Sequence, residues 1–164
     1  MSDQWLVELF PEFGELSEKE IREIKTFSII WSLFEGRCLN FSASANAIEE
    51  LIIALEEMNL LEFNDFLQYL EYFSDRYISD GKVNSKFNNL HLRKNDKPDL
   101  VRSVLLRETE KTSTIVTALV IIVYRYRNNF FHGIKWEYGF EDQLSNFQQS
   151  NNLLLRIIEI WLHR

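Results

Sequence analysis

Proline and glycine are scarce in this 164-residue chain, at 2 and 5 residues, too few turn formers for an all-β or loop-rich fold. Cysteine is scarcer still. Cys38 stands alone, so no internal disulfide can form and a reducing cytoplasm is the expected location. Its thiol reads as a small core hydrophobe rather than a nucleophile. No basic stretch leads into an apolar one after Met1, so no signal peptide is expected. The longest apolar run, Ile115–Tyr124, is about half of a membrane span and runs into Arg125 and Arg127, so no membrane partner is expected. There is no Gly-rich phosphate loop, no nucleophile elbow and no zinc-ligand spacing, so neither a metal nor a cofactor is expected.

Aromatic residues are abundant by contrast: 13 Phe, 6 Tyr and 4 Trp offer large apolar faces in a chain long enough to bury one domain's core. The net charge of −7 conceals an asymmetry. Residues 1–81 carry 5 Lys/Arg against 17 Asp/Glu, whereas residues 82–164 carry 13 against 8. A phosphate-bearing ligand on the basic side is physically reasonable; broad binding to duplex DNA is not.

Periodicity predicts a single all-α bundle of five to seven helices over residues 1–164. Residues 1–16, with Trp5, Leu9 and Phe10, read as an arm or short helix that docks its aromatics. Ser17 and Glu20 form a capping box, and Ile21, Ile24, Phe27, Trp31, Phe34 and Cys38 then mark a long amphipathic helix to about Leu39. Ser42 or Ser44 opens a second helix with Ile48, Leu51, Ile52 and Leu55 inward. A third runs from about Asn64 to Ile78 and ends at Ser79-Asp80-Gly81. Residues 82–97 read as a polar, basic loop anchored by Phe87, Leu90 and Leu92. Pro98 starts a helix to about Glu108, and Thr112 or Ser113 starts one that ends at Gly133. A loop over Gly133–Gly139 precedes a last helix, Glu141–His163. The acidic pairs Glu49-Glu50 and Glu56-Glu57 read as a solvated helix face, and His91 and His163 as surface histidines.

Chemistry concentrates at Arg127-Asn128-Asn129-Phe130-Phe131-His132-Gly133, the end of the most apolar helix. At 100° per residue, Ile115, Leu119, Ile122, Val123, Tyr126 and Phe130 form the core stripe, and Arg125, Asn128 and His132 lie opposite. Val120, Ile121 and Tyr124 share that outward side, which predicts a covering partner, most simply a second copy across a two-fold axis. Histidine exchanges protons near neutral pH, arginine presents a planar fork to phosphate oxygens, and asparagine can orient either. The set suits attack of an RNA 2′-hydroxyl on the adjacent phosphate, without metal or water nucleophile.

The heptad resembles the R-N-x-x-x-H motif of HEPN domains, close to the R-N-N-L-F-H-G form of several bacterial branches. Ile29-Ile30-Trp31-Ser32-Leu33-Phe34-Glu35 is also similar to this group. The resemblance spans about residues 20–163, with sharp identity confined to the heptad. It implies a homodimeric, metal-independent endoribonuclease, commonly a toxin or anti-phage effector, with Arg127, Asn128 and His132 catalytic. Arg125, Asn129 and Lys135 are then expected to contact RNA, with Arg93, Lys94 and Lys97 extending the path and Tyr124, Trp136 and Tyr138 available for stacking. An antitoxin or regulatory protein is a possible partner. Relatives controlled by a nucleotidyltransferase often carry a tyrosine two residues after the histidine; here Ile134 stands there and the nearest is Tyr138. The alternative reading is a non-catalytic module that binds a protein, nucleotide or RNA through the same face.

Overall fold

In the computed structural model, residues 4–131 and 143–164 are described. Among them are eight α-helices: α1 (Gln4–Leu9), α2 (Glu18–Cys38), α3 (Ala45–Glu57), α4 (Leu67–Tyr77), α5 (Ser85–Asn88), α6 (Pro98–Leu105), α7 (Thr112–Phe131) and α8 (Leu144–Leu162). The fold is all-α, and the short α1 and α5 account for the excess over the expected five to seven. None of the described helices is long and apolar enough to cross a membrane.

Local chemistry sets most boundaries. The Ser17 hydroxyl accepts from the Glu20 N–H, and the Glu20 carboxylate accepts from the Ser17 N–H at 2.8 Å, the expected box. Ser44 caps α3, and Pro98 occupies the first turn of α6. The α6 helix stops at Leu105, earlier than expected, because Arg107 adopts φ +62° and the Glu108 N–H returns to the Ser103 carbonyl at 2.9 Å. Asn59, at φ +56°, ends α3 in the same way, with the Leu60 N–H on the Leu55 carbonyl.

Asp80-Gly81 does more than end a helix. Both residues have positive φ, and they join β1 (Ile78–Ser79) to β2 (Lys82–Val83) in an antiparallel hairpin. Residues 82–97 are therefore not one loop: they hold β2, α5 and a 3₁₀ turn at Lys94–Asp96, anchored by buried Phe87 and Leu90 as expected.

α2 packs against α8, and α3 and α6 pack against α7. Asn151 on α8 donates to both the carbonyl and the carboxylate of Glu23 on α2, and Arg156 pairs with Asp65 at 2.6 Å. Where α4 meets α7, the hydroxyls of Tyr77 and Tyr126 hydrogen-bond, and burial pushes the Tyr77 phenol up to about 12. The acidic face of α3 is not merely solvated: Glu49 pairs with Lys97, and Glu56 accepts from the Ser113 N–H at the start of α7. Cys38 is buried, which raises its thiol to about 11, in keeping with a packing role.

The central position of α7 overturns one expectation. Val120 and Ile121 are fully buried within a single chain, so they present no outward face for a second copy. A helix with neighbours on every side has no solvent face along its middle turns, whatever a helical wheel suggests. The arm also differs from its expected docking: Trp5, Leu9 and Phe10 remain exposed, and Val7 packs against Gly14 within the arm itself.

Candidate functional site

The polar end of α7 divides its side chains between two sides of the helix. Arg125 turns toward the segment before α6. Its guanidinium meets Asp96 at 3.1 Å, its Nε donates to the Leu90 carbonyl at 3.1 Å, and its Nη2 approaches the Asn129 amide oxygen at 3.4 Å. Asn129 Nδ2 in turn donates to the carbonyls of Asn89 and Leu90. Arg125 is 3% exposed and Asn129 1%, so both are enclosed in the fold rather than offered to RNA. Burial lowers the Arg125 pKa while Asp96 opposes the shift, which leaves a charged, paired guanidinium. The expected RNA contacts at Arg125 and Asn129 are thereby corrected: these residues hold the 89–96 segment on α7.

Arg127 and Asn128 turn the other way, toward α2. The Arg127 Nη1 donates to the Asn128 amide oxygen at 3.0 Å, and its Nη2 lies 3.5 Å from Glu35 Oε2. That same oxygen accepts from the Trp31 indole N–H at 2.7 Å. The guanidinium carbon sits 5.8 Å from the Trp31 ring centroid and 5.2 Å from that of Phe131. Tyr124 stacks on Trp31 and is half-buried, so it packs rather than waits for a base. A cleft of about 290 Å³ lies between α2 and the end of α7, lined by Ser28, Trp31, Ser32, Glu35 and Gly36 of α2, by Phe41 after it, and by Arg127 and Phe131 of α7. Arg127 keeps 30% of its side chain exposed there, and its buried Nε has no hydrogen-bond partner among the described residues.

The structure thus brings Arg127 and Asn128 together and separates them from Arg125 and Asn129. His132, Lys135, Trp136 and Tyr138 lie outside the described residues; His132 directly follows the last residue of α7. Of the basic loop, Arg93 and Lys94 are exposed, whereas Lys97 is held by Glu49 at 2.6 Å. Among the described residues no group of three His, Cys, Asp or Glu side chains is gathered as a metal site would need.

Glu35 is the residue that pattern reading left without a role. The available signal was a carboxylate four residues after Trp31 on an otherwise apolar stretch, a spacing that lets the two touch. Its proximity to Arg127 required the approach of α2 to the end of α7. In comparisons with known proteins, no family model, no curated protein and no solved structure matches this chain.

Proposed function

We propose that this chain is a HEPN-type, metal-independent endoribonuclease that works as a homodimer in a toxin or anti-phage role. The observation that carries the reading is the hydrogen bond from Arg127, which lines an open cleft, to Asn128, the two lying five and four residues before His132 in sequence. Of the two arginines on α7, Arg125 is locked inside and Arg127 is the one that a phosphate can reach.

In this mechanism His132 takes the proton from an RNA 2′-hydroxyl, whose oxygen attacks the adjacent phosphorus. Arg127 holds the charge gathering on the phosphate oxygens, and Asn128 fixes the guanidinium plane. The bond from phosphorus to the 5′-oxygen breaks, and that oxygen needs a proton. A dimer supplies a second histidine for it. The products are a 2′,3′-cyclic phosphate and a 5′-hydroxyl. Val120 and Ile121 are buried, so in this reading the second copy would meet the exposed Ile29 and Leu33 on α2 instead, a surface supported only by their exposure. An antitoxin or regulatory protein would act by covering the cleft, and the tyrosine-modification route lacks its residue at Ile134.

The test is incubation with total RNA, with and without EDTA, for wild type and the variants His132→Ala and Arg127→Ala. Cyclic-phosphate ends, indifference to EDTA and loss of about 10²- to 10⁴-fold in rate for the histidine variant are expected. Cutting that requires magnesium, or that survives His132→Ala undiminished, overturns the mechanism. RNA binding without cutting would leave the non-catalytic module.

A further inference from the structure

The cleft beside Arg127 has features that phosphate chemistry does not require. At its mouth stand two rings in water, Phe41 at 81% and Phe131 at 53% exposure. The Phe41 ring lies across Gly36, so close that a Cβ added there would stand 3.2 Å from it. To place the ring, the backbone takes φ +50° at Asn40 and then +62° at Phe41, while the Phe41 N–H returns to the Glu35 carbonyl at 3.0 Å. Asparagine tolerates the left-handed region and can end a helix by itself; a following bulky residue in the same region is strained. Strain that holds a large ring in solvent is compensated when something lands on that ring.

Glu35 supplies the second feature. Its Oε2 takes the Trp31 N–H and the loose contact from Arg127, whereas its Oε1 makes no hydrogen bond among the described residues. An acceptor oxygen and exposed aromatic faces therefore border one slot, with a guanidinium at its end.

We infer that this cleft is a nucleobase subsite selective for guanine, an inference that rests on the ribonuclease reading and names its preferred substrate. Exposed π faces take any unstacked base, so the rings supply affinity without choice. The carboxylate makes the choice. Guanine presents N1–H and the N2 amine side by side, a pair that matches two carboxylate oxygens. Uracil flanks its single N3–H with two carbonyl oxygens, which a carboxylate repels. Adenine and cytosine set their amine beside an acceptor ring nitrogen. As guanine engages Glu35 it replaces the loose Arg127 contact, and the guanidinium turns to the phosphate of the same nucleotide. Cleavage then falls beside guanosine.

The test is calorimetric titration of the full chain with the 3′-monophosphates of guanosine, adenosine, cytidine and uridine. Wild type should bind the guanosine nucleotide about tenfold more tightly than each of the others, the discrimination expected of one bidentate contact. Glu35→Gln should erase that preference, and Phe41→Ala should weaken all four alike, with circular dichroism reporting the fold of each. Equal binding of the four nucleotides, binding of none, or a guanine preference that survives Glu35→Gln overturns the inference. Selective guanosine nucleotide binding by a protein that leaves RNA uncut sinks the ribonuclease reading alone. RNA cutting without preference for guanosine, together with unselective nucleotide binding, sinks the subsite alone.

Discussion

Truncating Arg125 to alanine removes the cation from a pair that the fold has closed off from water. Asp96 keeps 8% of its side chain exposed and Arg125 3%, and the two meet at 3.1 Å. Left alone, the Asp96 carboxylate retains the Arg93 N–H at 2.8 Å but loses its counter-charge, and the Leu90 carbonyl loses the Arg125 Nε. Breaking a buried pair from one side typically costs about 3–5 kcal/mol, because the surviving charge stays buried. For a chain of this size each kcal/mol lowers the melting temperature by roughly 2–4 °C, so a fall of roughly 6–20 °C is expected. Thermal unfolding followed by circular dichroism measures it. Asp96→Ala should cost a similar amount, and the double variant clearly less than the two losses added. The competing account, in which Arg125 contacts RNA, predicts the reverse pattern. An Arg125→Ala protein that melts within about 2 °C of wild type yet loses RNA affinity would refute the clamp.

Four further outcomes follow from particular contacts. Glu56→Gln should cost about 0.3–1 kcal/mol at pH 7, because the amide oxygen can still accept from the Ser113 N–H but the negative charge beside the first turn of α7 is lost. The Ser113 hydroxyl and N–H, with Lys111, hold the Glu56 carboxyl below its ordinary pKa against the opposing effect of burial. Its contribution is therefore present above the ordinary carboxylate pKa of about 4 and lost as pH falls through the folded value, so urea midpoints of the two proteins should converge in acid. Arg107→Gly should raise stability by about 1 kcal/mol in urea unfolding, since glycine accepts the φ of +62° without strain. Arg127→Lys should retain the fold but lose most RNA cutting, because a point charge does not reproduce the planar fork. Leu33→Glu, at a position 49% exposed, should leave a folded monomer by sedimentation; an unchanged dimer would place the contact elsewhere.

The sequence by itself determined the elements. The Ser17–Glu20 box, the Ser44 cap and Pro98 act within a few residues, so they are readable locally and appear where they were expected. The three-four spacing of Phe27, Trp31, Phe34 and Cys38 likewise announces a buried stripe, and all four are buried. Asp80-Gly81 was legible only as the end of a helix; the hairpin it closes was not, because strands of two residues are too short for alternation to reveal them.

Only tertiary structure decided what the polar end of α7 does. Periodicity orders side chains around one helix axis and says nothing of what stands opposite each of them. Arg125, Asn128 and His132 share a side of the wheel, yet Arg125 meets Asp96 and Leu90 while Asn128 joins Arg127 beside α2. Val120 and Ile121 look outward until α3, α6 and the rest of the bundle surround their helix. Glu35 comes beside Arg127 only where α2 nears the end of α7, and Phe41 borders the cleft only where a left-handed turn lays its ring over Gly36. Helix formation is driven by bonds within a few residues, so the sequence displays it. The identity of a buried charge's partner is fixed by packing between segments far apart in the chain, and no local pattern carries that information.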